Sequence, residues 1–154
     1  MRRMFVALVA VVGLATLALA GGAVAGSSPS SVAKIHVIEH ATTDTVIDIG
    51  APGDSTGDLL TFHNKLYDAT DSTVVGRDQG ECVLIDPIDP ATWECRWTNF
   101  LAGGQITVDG PFSDAHDTVI AITGGTGSYA TAQGDMTLSA RNGGAEFDFV
   151  FRLR

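Results

Sequence analysis

Residues 146–153 run Glu146-Phe147-Asp148-Phe149-Val150-Phe151-Arg152-Leu153. In an extended chain Phe147, Phe149, Phe151 and Leu153 share one side, and Glu146, Asp148, Val150 and Arg152 share the other. That period of two marks a strand with one buried face. The alternation recurs upstream. Leu60, Phe62, Asn64 and Leu66 oppose Thr61, His63 and Lys65, while Ala130, Ala132, Gly134, Met136 and Leu138 oppose Thr131, Gln133, Asp135 and Thr137. No segment beyond the first 25 residues shows a comparable helical period.

Turn residues divide the chain into about eight such strands, starting near Lys34, Asp58, Val74, Thr92, Gln105, Thr118, Tyr129 and Ala145. Short connections predict antiparallel neighbours in a meander. Such a meander closes into an up-and-down barrel or splits into a sandwich. Closure removes the exposed edges and puts the all-β barrel first. One hairpin reads in detail. Cys82 and Cys95 lie symmetrically about Ile88–Asp89, as do Leu84 with Trp93 and Glu81 with Arg96. Cross-strand neighbours reach disulfide range, so a Cys82–Cys95 bridge is expected, with two free buried thiols as the alternative.

The N-terminus supplies the compartment. Arg2 and Arg3 precede an uncharged run from Met4 to Ala20, followed by small-residue cleavage candidates ending at Ala20 and Ala25. This order reads as a secretory signal over residues 1–25, the alternative being an uncleaved anchor. A Ser/Pro tether (26–33) leads into a single domain over 34–154. Export is oxidising, which favours the bridge. The expected product is a secreted protein with no stable membrane span.

Net charge is −9, and removal of the two leader arginines leaves seven basic against 18 acidic side chains. A surface this acidic excludes nucleic acid and anionic membrane as partners. The Thr123–Gly127 cluster (TGGTG) lacks the Lys-Ser/Thr and the helix of a phosphate loop, and reads as a turn. His36 and His40 share a strand face without a third ligand placed by spacing, so neither metal nor cofactor is expected. His63 alternates outward. Asn64 falls on an apolar face, where a buried amide is either a structural hydrogen-bonder or a polar anchor in a ligand cavity.

Four segments then occur in order: GDLLTFHNKLYD (57–68), GECVLI (80–85), ITVDGPF (106–112) and DTVIAITGGTGSYATAQGDMTL (117–138). Together they resemble the allene oxide cyclase family, with dirigent proteins as distant relatives. The resemblance implies an eight-stranded, lipocalin-like barrel, often trimeric, with an elongated apolar cavity. In that family an allylic epoxide is ring-closed by orientation and electrostatics, with a glutamate stabilising positive charge. Asn64 matches the family's cavity asparagine and Cys82 its cavity cysteine. Phe112 replaces a tyrosine, and the family's glutamate falls on His36, leaving Glu39 facing outward. The resemblance thus makes Asn64 the orienting group and His36 a possible general acid or base. Ile38, Leu60, Phe62, Leu66, Cys82, Trp93, Trp97, Phe112 and Phe149 would line a pocket for an apolar small molecule. The chain would steer cyclisation or coupling of that molecule, carry it without catalysis, or form a filled barrel with a structural role.

Overall fold

The computed structural model describes residues 33–154 except Asp89 and Asp114. The expected leader, and the tether up to Val32, lie outside the described residues. Ten strands form one antiparallel sheet: β1 (Ala33–His40), β2 (Thr45–Ile47), β3 (Leu59–Phe62), β4 (Lys65–Asp68), β5 (Val74–Asp86), β6 (Thr92–Leu101), β7 (Gly104–Phe112), β8 (Thr118–Gly125), β9 (Gly134–Arg141) and β10 (Glu146–Leu153). β3 and β4 are halves of one strand, broken at His63 and Asn64, and both pair with β5. β1 pairs with β4, β5 to β10 each pair with the next, and β10 returns to β1, so the sheet closes as an eight-stranded barrel with the short β2 alongside β3. No helix among the described residues is long and apolar enough to cross a membrane.

Closure follows from the alternation. Phe147, Phe149 and Phe151 point inward and are buried, and Leu66, Ile106, Val108, Ile120 and Met136 meet them from the other strands. The hairpin register is as read: Cys82 faces Cys95, Leu84 faces Trp93, and Glu81 faces Arg96, whose side chains pair at 3.1 Å. The two cysteines are bridged, and no free cysteine remains. At Gly80 the strands approach so closely that a Cβ would sit 2.2 Å from Trp97 Cβ.

Two expectations are corrected. The strand expected from Tyr129 starts at Gly134, because Gly127–Tyr129 forms a 3₁₀ turn that packs its Tyr129 ring on Gly103. In β1 the inward set is Ile35, Val37 and Glu39, fixed by pairing with Phe151, Phe149 and Phe147. His36 and Ile38 therefore face outward, and Glu39 faces inward. His36 and Glu39 stand three residues apart, and an odd separation puts them on opposite faces of the strand.

Candidate functional site

One end of the barrel interior is open as a cavity of about 270 Å³. Its wall is aromatic. Trp97 stands edge-on to Phe62 (centroids 6.1 Å apart) and tilted against Phe149 (5.7 Å), while Phe112 meets Phe147 edge to face at 5.7 Å. Trp93, Leu60, Leu138, Val46 and the Cys82–Cys95 bridge complete the apolar lining. The charged side chains on the wall are Glu39 and Asp44. The indole Nε1 of Trp97 is buried without a hydrogen-bond partner.

Below Glu39 lies a polar floor organised by Asn64, at the break between β3 and β4. Its Nδ2 donates to Glu39 Oε1 at 2.8 Å and to Asp44 Oδ1 at 2.7 Å. Its Oδ1 accepts from the Thr42 and Thr43 amides at 2.9 and 3.0 Å and from the Thr43 hydroxyl at 3.1 Å. Both amide hydrogens are used. Its backbone exchanges two bonds with Asp78: the Asn64 N–H donates to Oδ1 at 2.9 Å, and the Asp78 N–H donates to the Asn64 carbonyl at 3.0 Å. The strand break thus replaces a ladder pair by a carboxylate, which leaves Asp78 wholly buried.

Asp78 and Glu39 are in carboxyl–carboxyl contact, and Asp78 Oδ2 receives no other donor. Two carboxyls hydrogen-bond only by sharing a proton. Burial, then the charge of Asp78, holds Glu39 well above the usual carboxylate range. Burial likewise pushes Asp78 up to about 6. Burial and mutual repulsion favour one proton held between Glu39 and Asp78 over two carboxylates.

Of the residues expected at the site, Leu60, Phe62, Cys82, Trp93, Trp97, Phe112 and Phe149 meet in this cavity. Leu66 is fully buried in the packed core. Ile38 lies on the outer face, as does His36, whose Nε2 meets Asp148 Oδ1 at 2.7 Å. His40, stacked on Tyr67, turns to Asp71 at 2.7 Å and lies 4.0 Å from Glu146, so the two histidines do not converge. Asn64 is buried behind the wall and touches a ligand only through Glu39 and Asp44. Asp44 and Asp78 escaped the sequence reading, which placed Glu39 on the outer face. The signal for Glu39 was present in the parity it shares with the apolar Ile35 and Val37.

Comparison with known proteins agrees with this architecture. Residues 28–143 match the allene oxide cyclase family. The barrel superposes on a pyocyanin demethylase with a TM-score of 0.69 at 28% identity, covering 79% of this chain and all of that one. It also superposes on a pterocarpan synthase dirigent protein (TM-score 0.62, 16% identity, 79% of this chain and 87% of that one). A Diels-Alderase from Streptomyces koyangensis gives a TM-score of 0.62 at 15% identity, over 80% of this chain and 63% of that one. The chain belongs to the allene oxide cyclase family.

Proposed function

We propose that this barrel binds a compact, largely apolar molecule and steers its rearrangement or ring closure, with Glu39 as the group that acts on it. The carrying observation is a carboxyl 5% exposed at the end of an aromatic-walled cavity, held by Asn64 at 2.8 Å. A cavity of 270 Å³ exceeds the roughly 150 Å³ that encloses benzene. It suits two or three fused rings better than an extended fatty chain. The relative named as a pyocyanin demethylase supports a small-molecule ligand. Protonated, Glu39 can give its proton to a ligand oxygen. Ionised, it stabilises positive charge developing on the ligand. The fixed aromatic wall supplies the orientation that selects one folded geometry of the reactant. Following the N-terminal reading, we place this activity outside the cell.

Trp93 and Trp97 are the two tryptophans of the chain and both line the cavity, so their fluorescence reports occupancy directly. A panel of two- and three-ring hydrophobes should quench it saturably, and Leu60→Trp, which fills the cavity, should abolish binding of those ligands. For bound molecules bearing an epoxide or a polyene, mass spectrometry should detect an isomerised product that Glu39→Gln no longer forms. Saturable binding without turnover in either protein would favour a carrier. Absence of saturable binding across the panel would favour the filled barrel.

A further inference from the structure

The charges around the cavity are one-sided. Glu39 and Asp44 line it, Asp78 stands directly behind Glu39, and no Lys, Arg or His is among the lining residues. The basic side chains lie elsewhere: Lys34, Lys65, Arg77, Arg96 and Arg152 are exposed, and Arg141 pairs with Glu146 and Asp148 on the outer face. The groups facing Glu39 are Asp78 from β5, Asn64 from the β3/β4 break, Asp44 from the segment before β2 and Phe147 from β10. Glu39 and Asp78, buried in contact and without a basic partner, pay heavily for joint ionisation, and burial favours a proton held between them.

A ligand that brings positive charge removes the need for that proton. The wall is made for such a ligand as well, because ring faces attract cations and do so most strongly where water is excluded. An anionic group in the cavity would meet two acids and no basic side chain among the lining residues. We propose, building on the ligand-cavity reading above, that the cavity selects a planar aromatic cation over its neutral isostere, and that the cation replaces the proton shared by Glu39 and Asp78. The exchange is balanced: the cation pairs with the Glu39 carboxylate and one proton passes to solvent.

N-methylquinolinium and 1-methylnaphthalene have nearly the same shape and differ in charge. Titrated against tryptophan fluorescence at pH 8, the cation should bind about tenfold tighter or more. The ratio should shrink toward pH 5, where the carboxyl pair holds its proton more firmly. Calorimetry at pH 7 in two buffers of different ionisation enthalpy should show net proton release with the cation and none with the naphthalene. Glu39→Gln should erase the ratio, and the wild-type pH series gives an answer even if that variant folds poorly. Equal or tighter binding of 1-methylnaphthalene, a ratio flat with pH, or a ratio that survives Glu39→Gln would overturn the proposal and leave the cavity reading standing. If neither probe binds, both fail together.

Discussion

Asn64 illustrates how one side chain can be essential to a cavity without touching what the cavity holds. Its amide satisfies two backbone N–H groups, one hydroxyl and two carboxyls. Asn64→Ala strands all of them, and we expect it to lower unfolding free energy by roughly 2–4 kcal/mol, measured by urea denaturation. Loss of activity in that variant would therefore report the collapse of a scaffold. Asp78→Asn is the gentler probe, since an amide oxygen can still accept the Asn64 N–H. It removes the like charge beside Glu39, so Glu39 should ionise at lower pH, and any activity that needs its carboxylate should extend further into acid. A pH–rate profile, or a carboxyl titration followed by NMR, checks the direction.

The strands differ in how legible they were. In β10 one face is ringed by phenylalanine and the other is charged, so parity was unmistakable. In β1, Val37, Ile38 and Glu39 are all buried, because Ile38 lies under the outer-face side chains of the neighbouring strands while Val37 and Glu39 enter the barrel. Alternation is silent where both faces are covered, and the site's acid was lost there. Asn64 was found because its neighbours Leu60, Phe62 and Leu66 kept a clean period. Asp78 was missed because a single buried acid in a strand gives no local sign of the partner that holds its second oxygen. The hairpin of β5 and β6 was the best-read element, and its tests are direct. Reducing Cys82–Cys95, which closes a loop with a sequence separation of 13, should cost about 3 kcal/mol, seen as a lower denaturation midpoint. Gly80→Ala forces a methyl against Trp97 and the Arg96 carbonyl. It should destabilise by roughly 2–3 kcal/mol and shift tryptophan emission, because the ring it displaces lines the cavity.

For the molecule as a whole, the proton between Glu39 and Asp78 makes stability depend on pH in an uncommon direction. Both groups ionise at higher pH folded than unfolded. Their contribution is fully present below the unfolded values of 4.5 and 3.8 and is lost as pH rises through the folded ones. The barrel should therefore be more stable at pH 5 than at pH 8, by on the order of 2 kcal/mol, with a correspondingly higher Tm. The trend reverses in stronger acid, where Asp58 and Asp68 gain protons. Their carboxylates are held low chiefly by the backbone N–H groups of Ile49 and Ser72, respectively. A stability maximum near pH 5 would thus trace to two buried groups. The pairing of β1 with β10 carries a consequence of another kind. Ala33 meets Leu153 and His40 meets Glu146, so the first strand of the barrel cannot complete its pairing until the tenth is in place. Contacts this distant in sequence slow folding. Until β10 docks, the folding chain can form only an open sheet with two bare edges, and the three phenylalanines of β10 seal it.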